Sequence, residues 1–318
     1  MNITPPKIAV IVPAYNASAH IADAINSILG QSRSVDEIVV VDDGSTDDTA
    51  VVAAKASSKL IVVRQKNAGP ANARQRGVES TTAEFLMLLD ADDILHASAL
   101  EKLSDTLLRH PLAALAYCPA EMWSPTDEGQ THVDALQKPN RENLWETLLY
   151  GNIIRTPGCV LMRRSALNEV GGWDMDVALK GNEDWDLWLR LSENHPFALV
   201  TEPLLKYRVH NASMSGNRAE MIKSMLVVFR KQRSRWKRNS SRRLAIDAGE
   251  WQGCKYAIRE ILHEARSAYS NGQVLLAAQL IIDVLRIGAR PTLTRLFSRY
   301  SFGWWRIFCG KQKDSLTV

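Results

Sequence analysis

Three carboxylates within four residues provide the clearest chemistry in this chain. Asp90, Asp92 and Asp93 follow residues 86–89, four apolar side chains that predict a buried strand. Asp90 and Asp92 are two positions apart, so an extended backbone would present both on one side. Carboxylates at the carboxyl end of a strand in an α/β sheet suit Mg²⁺ or Mn²⁺, and such a metal can neutralise a diphosphate. Helix capping is the alternative, because Asp favours N-caps and a helix is predicted at 97–109.

A second acidic pair follows another predicted strand. Asp42 and Asp43 come directly after residues 37–41, Glu-Ile-Val-Val-Val. At this edge of a sheet a carboxylate can accept hydrogen bonds from a ribose hydroxyl or a uracil imide. An Asx turn is the alternative, and we favour it for Asp47 and Asp48. For Asp42 and Asp43 we favour ligand binding.

These side chains need a sheet that brings strand ends together, and the hydrophobic pattern predicts one. β-Branched runs alternate with segments of helical period over the first hundred residues. This order predicts right-handed crossovers and a doubly wound, mostly parallel α/β sheet. Predicted strands lie at 7–13, 37–41, 60–64 and 86–89, and predicted helices at 19–29, 49–57, 71–78 and 97–109. Three of the strand ends can therefore surround one nucleotide diphosphate.

The second half of the chain is less regular. We predict a strand at 113–117, a loop at 119–139, a helix at 143–150, a strand at 158–163 and a helix at 182–193. From residue 219 onward only helical patterns occur, and Asn271-Gly272 separates 259–270 from 273–287 as a helical hairpin. A helical extension is therefore expected to follow the α/β domain.

Length and composition indicate a globular protein. The chain has 318 residues, 46% of them hydrophobic, which is enough for one large or two ordinary domains. Four cysteines without a CxxC pair argue against a disulfide framework and against a zinc site. No uncharged apolar run reaches the roughly 18 residues that cross a bilayer, and the first residues lack the pattern of a signal peptide. We expect reduced thiols and a cytoplasmic protein.

Positive charge is concentrated in one segment. The net charge is +4, yet nine basic and no acidic residues lie between 221 and 246, which leaves 30 basic against 35 acidic residues elsewhere. The segment 230–243 could bind anionic membrane lipids, with Trp236 and the aromatic residues near 302–308 at the interface. A nucleic acid would use the same charges, but no nucleic-acid module accompanies them. A solvated helix face is the structural alternative.

Six motifs, in order, resemble those of the inverting glycosyltransferases of family 2, which have the GT-A fold. They are VIVPAYNASAHIADAINSIL, EIVVVDDGSTDDT, NAGPANARQRG, LLDADD, VGGWD with NEDWDLWLRL, and YRVHNASMS. The resemblance covers residues 7 to about 215 and leaves the final hundred residues outside it. It implies a GT-A domain at 1–218, with a nucleotide-sugar-binding half (1–95) and an acceptor-binding half (96–218), followed by a helical extension at 219–318.

The resemblance also implies roles in binding the donor. The residues that would hold the nucleoside or line its pocket are Pro13, Ala14, Tyr15, Asp42, Asp43, Asn67, Gly69 and Arg74. Arg74 would lie near the base or the phosphates, unless it is an exposed residue on a helix face. Asp90, Ala91 and Asp92 would form the metal-binding DXD motif, with Asp92 as the more direct ligand. Asp93 is then expected to be a helix cap.

Glu183 and Asp184 open the predicted helix at 182–193 and form a second chemical centre. Inversion needs a carboxylate opposite the leaving diphosphate, to take the proton of the attacking hydroxyl. The resemblance assigns that base to Asp184, with Glu183 supporting it or orienting the acceptor. Both acids could instead cap the helix, and a cap would lower the pKa of Asp184. Asp186 is expected to face the protein body or solvent.

Three further residues complete the expected site. His210 would join the ligands of the metal or touch the diphosphate, as this position does in similar enzymes, although a single His is more often structural. Arg208 and Trp173 are expected at the acceptor, and Trp185 in the core.

We therefore expect a metal-dependent, inverting glycosyltransferase with a UDP-linked donor and a glycan or lipid-linked acceptor in surface polysaccharide synthesis. A sugar-phosphate nucleotidyltransferase is the closest alternative, but PAYNASAH lacks the Gly-rich, basic loop that a triphosphate needs. A catalytically inactive, membrane-associated scaffold of the same fold is the other alternative. Asp90, Asp92 and Asp184 argue against that alternative.

Overall fold

The computed structural model describes residues 5–123, 132–133, 143–209 and 218–288. By internal contacts, the chain divides into two compact units, Met1–Arg235 and Trp236–Val318. Within the described ranges, the first unit holds every strand and eight helices, and the second holds two long helices.

A seven-stranded sheet forms the centre of the first unit and confirms the predicted mostly parallel α/β architecture. The strands of the described ranges are β1 (Ile8–Ala14), β2 (Glu37–Asp42), β3 (Leu60–Arg64), β4 (Phe85–Leu88), β5 (Ile94–Leu95), β6 (Leu115–Tyr117), β7 (Ala120–Trp123), β8 (His132–Val133), β9 (Val160–Arg163), β10 (Phe197–Leu199) and β11 (Leu205–Arg208). The central sheet has the order β10-β6-β9-β4-β1-β2-β3, with β9 antiparallel to both its neighbours. β4 is buried throughout and β1 almost throughout, as expected for apolar strands covered on both faces.

Helices cover this sheet, and one of them approaches it closely. The helices are α1 (Ile21–Leu29), α2 (Thr49–Ala56), α3 (Pro70–Glu79), α4 (Ala99–Arg109), α5 (Leu144–Tyr150), α6 (Arg164–Glu169), α7 (Glu183–Leu191), α8 (Arg218–Arg235), α9 (Ser240–Ser270) and α10 (Val274–Gly288). A Cβ at Gly77 of α3 would clash with the side chain of Ile11 in β1 and lie 3.3 Å from Val41 Cγ2 in β2. Glycine therefore lets α3 pack directly against the sheet, which fixes the position of the side chains on this helix.

A second sheet has the order β5-β11-β7-β8. Two of its strands, β7 and β8, lie within residues 119–139, so the loop predicted there is wrong at these positions. β7 forms because β11, more than eighty residues later, pairs with it in parallel from Leu205 to Arg208. Such a distant pairing leaves no periodic signal in the local sequence.

The second unit contains the predicted helical hairpin. Gly272, with φ 74°, ends the turn between α9 and α10. α9 begins at Ser240, about twenty residues before the predicted start, and the side chain of Asn239 accepts a hydrogen bond from Arg242 N (3.0 Å) as its cap. None of the helices in the described part of the chain is both long and apolar enough to span a bilayer.

The functional boundary expected between residues 218 and 219 stays a prediction. By contacts, α8 belongs with the first unit, because it packs beside the turn Val177–Leu179 that precedes α7.

Candidate active site

The acidic segment after β4 is a turn. Asp93 N donates to Asp90 O (3.1 Å), so Asp90 and Asp92 are not in the extended backbone that was predicted. Asp93 is buried and its Oδ1 accepts from Arg208 N (3.1 Å). The expected helix cap at Asp93 is therefore wrong, and Ser98 occupies the N-cap of α4. Burial, with Asp90 and Asp92 nearby, raises the pKa of Asp93 well above its usual value.

Arg74 joins the two acidic centres. Its Nη2 lies 3.0 Å from Asp90 Oδ1 and its Nη1 lies 2.6 Å from Glu183 Oε1. The guanidinium also lies 5.2 Å from the centroid of the Trp173 ring. Arg74 is buried, so the alternative of an exposed helix face is excluded. Burial alone would lower the pKa of Arg74, but Asp90 and Glu183 raise it above its usual value.

Glu183 and Asp184 begin α7, and both are buried. Glu183 Oε2 accepts from Gly181 N (2.6 Å), while Asp184 accepts from Trp185 N at Oδ1 (2.7 Å) and from Asn152 Nδ2 at Oδ2 (3.3 Å). Burial and the neighbouring Glu183 raise the pKa of Asp184 to about 7. The expectation that capping would lower this pKa is wrong, because desolvation outweighs the hydrogen bonds that favour the charged form.

Two polar residues of this site were missed by sequence reasoning. Asn152 reaches Asp184, as described above, and Thr156 Oγ1 donates to Asp90 Oδ2 (2.8 Å). Both lie between α5 and the turn Pro157–Cys159, so the short segment 152–156 contacts both acidic centres. No motif marks these residues in the sequence, because each bond joins positions more than thirty residues apart.

Asp42 and Asp43 are engaged with loops of the protein. Asp42 is fully buried, and its Oδ1 accepts from Ser45 N (2.9 Å) while its Oδ2 lies 2.9 Å from Arg64 Nε. Asp43 Oδ2 accepts from Gly69 N (2.9 Å), and its Oδ1 accepts from Ala68 N and Gln65 Nε2. These carboxylates hold Ser45 and the segment 64–69 in place beside Ala14, whose carbonyl accepts from Asp43 N (2.8 Å). Their role as nucleoside ligands stays a prediction.

Other residues expected at the nucleoside lie at the edge of the protein. Tyr15 is 52% exposed, and Asn67 is also exposed. Asn16 follows with φ 49° and fixes this turn, because its N donates to Ser45 Oγ (2.9 Å) and its Oδ1 accepts from Thr46 N (2.9 Å). Asp47 accepts from Thr49 and Ser18 as a turn residue, which agrees with the interpretation favoured for it.

The expected metal ligands are only partly within the described residues. His210 lies outside them. Among the residues that are described, no three or more His, Cys, Asp or Glu side chains form a cluster able to hold a metal. Asp90 is held by Arg74 and Thr156, whereas Asp92 is half-buried in the turn. A metal held through one or two carboxylates and substrate phosphates fits this arrangement better than an all-protein cage.

The two residues expected at the acceptor lie in buried positions. Trp173 is 3% exposed and packs edge-to-face on Trp188 at 6.4 Å. Arg208 Nε donates to Asp92 O (3.0 Å), and its guanidinium lies 4.3 Å from the Trp123 ring centroid. Contact with the acceptor stays a prediction for both residues, and their packing supports Arg74 and the Asp92 turn.

Two expectations for α7 agree with the structure. Trp185 is buried in the core, as predicted. Asp186 faces the protein body, where its Oδ2 lies 2.7 Å from Arg190 Nε. Cys118, Cys159 and Cys254 are buried free thiols, and the fourth cysteine, Cys309, lies outside the described residues.

Comparison with curated sequences gives relatives that are named as glycosyltransferases. An uncharacterized glycosyltransferase of Haemophilus influenzae is 27% identical over 210 residues, covering 65% of this chain and 70% of its own. TuaG of Bacillus subtilis, named for teichuronic acid biosynthesis, is 27% identical over 240 residues, covering 71% of this chain and 88% of its own. The uncharacterized glycosyltransferase YibD of Escherichia coli is 26% identical over 307 residues, covering 91% of this chain and 86% of its own.

Solved structures share the fold. TarS 1–349 of S. aureus, in complex with UDP-GlcNAc, gives a TM-score of 0.60 at 18% identity, covering 77% of this chain and 71% of that one. The chain spans 43% of a longer TarS structure, with a TM-score of 0.58. The mannosyltransferase PcManGT from Pyrobaculum calidifontis, in complex with GDP-Man and Mn²⁺, gives a TM-score of 0.54 at 17% identity, covering 97% of this chain and 86% of that one.

The family assignment follows from the sequence profile. Glycosyl transferase family 2 matches residues 9–171, which is more than half of the chain. The relatives agree with this assignment, and the central sheet with its flanking helices is of the GT-A type. The chain therefore belongs to glycosyl transferase family 2.

Proposed function

We propose that this glycosyltransferase moves a sugar from a nucleoside diphosphate donor to a hydroxyl acceptor, with inversion and with Asp184 as general base. The observation that carries the proposal is the buried carboxyl of Asp184 at the start of α7, next to Glu183, and this burial raises its pKa to about 7. A general base works best when its pKa lies near the working pH. Glu183 is tied through Arg74 to Asp90, so one hydrogen-bonded network contains groups suited to both substrates.

The proposed proton transfer is carried by residues of this chain. Asp184 takes the proton of the attacking hydroxyl at a carboxylate oxygen. In the same step the acceptor oxygen bonds to the anomeric carbon of the sugar, and the bond from that carbon to the diphosphate breaks, so that the nucleoside diphosphate leaves. Asn152 Nδ2 and Trp185 N donate to that carboxylate and orient it. Arg74 pairs with Glu183 and therefore limits the repulsion that Glu183 exerts on ionised Asp184.

A divalent metal belongs to the proposal. Asp92 is the residue that would hold it, together with oxygens of the donor diphosphate. Asp90 accepts hydrogen bonds from Arg74 and Thr156, which fix its carboxylate close to Asp92 in the chain. When bound, such a metal neutralises charge on the leaving diphosphate. PcManGT, of the same fold, is described with Mn²⁺. Mn²⁺ or Mg²⁺ is accordingly the proposed cofactor.

The donor and acceptor are proposed by chemical class. UDP-linked sugars come first, because exposed Tyr15 and Asn67 border the loops held by Asp42 and Asp43, and because TarS is described with UDP-GlcNAc. A glycan or lipid-linked acceptor of surface polysaccharide synthesis is supported by the name of TuaG. Peripheral association with an anionic membrane is proposed for the second unit.

Calorimetry against UDP, GDP and their sugar conjugates, with and without Mn²⁺, tests the donor proposal. We expect UDP-sugar binding that Mn²⁺ strengthens, and release of free nucleoside diphosphate on transfer. Release of pyrophosphate instead would identify a nucleotidyltransferase. Donor binding without transfer or donor hydrolysis, for every acceptor tested, would favour an inactive scaffold. Asp184→Asn should bind donor normally and lose transfer, and transfer at the wild-type rate would contradict the role of Asp184.

A further inference from the structure

α8 and the start of α7 both lie beyond residues 9–171, which match the family, and α8 contacts the segment that precedes Asp184. The side-chain amide of Asn182 donates to Ser224 Oγ (2.5 Å) and to Met221 O (3.1 Å) of α8. Asn182 and Ser224 are both buried. Leaving a buried amide without its acceptors costs about 1–3 kcal/mol, so this contact fixes Asn182, the residue directly before α7, against α8.

A second contact lies directly after Asp184. The Trp185 ring packs edge-to-face on Phe229 of α8, with centroids 5.5 Å apart and an interplanar angle of 89°. Trp185 Nε1 also donates to Leu148 O of α5 (2.7 Å). α5 and α8 therefore hold the same ring at two places, and aromatic pairs of this geometry resist displacement.

A third contact holds the loop that leads into α7. Lys231 Nζ of α8 lies 2.9 Å from Asp174 Oδ2 and 3.0 Å from Asp176 Oδ2. The loop ends at Gly181, whose φ of 88° suits glycine and whose added Cβ would lie 2.6 Å from Met221 Sδ. α8 therefore contacts this loop at its beginning and at its end.

We propose that α8 positions Asp184 for proton transfer, with Ser224, Phe229 and Lys231 as positioning residues. The inference rests on the proposed role of Asp184 as the base. A base acts only within hydrogen-bond reach of the proton, and a shift of about 1 Å can cost up to 10²-fold in rate. The described contacts of these three residues do not involve the loops expected to hold the nucleotide. Their loss should therefore lower kcat and leave donor binding unchanged.

Substitutions in the full-length chain test this inference. We expect Ser224→Ala and Lys231→Met each to lower kcat by roughly tenfold, with the Kd for UDP in calorimetry unchanged within about twofold of wild type. Lys231→Arg should recover most of the rate, because it keeps a cation between the two carboxylates. Ser234→Ala and Lys223→Met are matched controls, since both residues are exposed on the same helix and Lys223 pairs with Glu220 of that helix. Both controls should keep the wild-type kcat.

The pH profile separates positioning from a general loss of folded protein. In Ser224→Ala, water gains access to the start of α7, so the acidic limb of kcat/KM should move to lower pH. A smaller active fraction would scale the profile without moving it, and that result would overturn the inference. Normal kcat in both α8 variants would also overturn it. Asp184→Asn distinguishes failure of the proposed base from failure of the proposed role of α8. Retained transfer in Asp184→Asn would contradict the base. Lost transfer in Asp184→Asn, with normal kcat in the α8 variants, would contradict only the role of α8.

Discussion

At the residue scale, the burial of Asp184 predicts how activity depends on pH. The base must be ionised to accept a proton, and burial raises its pKa to about 7. We therefore expect kcat/KM to rise tenfold per pH unit below about pH 7 and to be flat above it. A rate profile between about pH 5 and pH 9, at saturating Mn²⁺, measures this limb. A limb near pH 4, the ordinary range of Asp, would show that Asp184 is solvated or is not the base.

The same burial predicts that the ionised form of Asp184 lowers the free energy of unfolding. Its pKa rises from 3.8 in the unfolded chain to about 7 in the fold, so the folded state binds more protons between these values and stability falls as pH rises through this window. Above pH 7 the full cost is present. Asp184→Asn removes the charge, and we expect it to raise the free energy of unfolding at pH 8 by about 1–2 kcal/mol. Urea unfolding at pH 8 and at pH 5 measures this, and an equal gain at both pH values would contradict the electrostatic cause.

Arg74 is predicted to be essential to the fold as well as to the site. Arg74→Gln leaves Asp90 and Glu183 without their shared cation, and breaking a buried ion pair on one side costs about 3–5 kcal/mol. Arg76→Gln is the matched control, because Arg76 is exposed on the same helix, 4.0 Å from Glu79. The thermal unfolding midpoint of Arg74→Gln should lie many degrees below that of Arg76→Gln. Similar midpoints would mean that the Arg74 network contributes little to stability.

Sequence motifs located the acidic residues of the site but not what surrounds them. Asp90, Glu183 and Asp184 were identified because their residue types and their places after a strand or before a helix are local features. The burial of Arg74 depends on Glu183, 109 positions away, and that distance is invisible to periodicity. The pKa of Asp184 was predicted in the wrong direction for the same reason. Desolvation depends on packing from α5 and α8, which the sequence of α7 does not contain.

At the element scale, α3 is predicted to depend on glycine at one position. Gly77→Ala places a Cβ against Ile11 and Val41, and overpacking of this kind costs about 1–3 kcal/mol. Because α3 also carries Arg74, moving the helix from the sheet should weaken the Asp90 contact and lower activity. Gly151→Ala is the control, since an added Cβ there meets nothing within 4 Å. Denaturant midpoints measure both, and equal values would contradict close packing of α3.

Elements with local signals were predicted well. β3 was predicted at its observed limits, and α2 and α3 within one residue at each end. β7 was missed because its partner β11 is distant in sequence. The helical character of residues 240–258 was predicted, but not that they are continuous with the helix predicted at 259–270. Hydrophobic periodicity therefore predicts helices and strands that follow the preference of their own residues. It fails where pairing with a distant segment decides the structure.

At the scale of the whole molecule, the basic residues of the segment 230–243 lie in two different environments. Lys231 and Arg235 pair with acids of the first unit, Asp174, Asp176 and Glu193, so these two charges are internal. In the second unit, Lys237, Arg238 and Arg243 are exposed near the start of α9, and α10 exposes apolar side chains such as Leu275 (88%). Exposed cations and exposed apolar side chains within one unit suit the surface of an anionic membrane.

Vesicle binding tests that membrane proposal for the second unit. Each basic residue near an anionic surface contributes about 1 kcal/mol, so the protein should sediment with phosphatidylserine vesicles at low salt and be released at high salt. Reversing two charges in Arg238→Glu/Arg243→Glu should weaken binding by at least roughly thirtyfold. Lys55→Glu/Lys59→Glu makes the same change in net charge at exposed positions of the first unit, and it should bind as wild type does. Equal loss in both variants would mean that net charge alone is responsible, and absence of sedimentation at either salt would remove the membrane proposal.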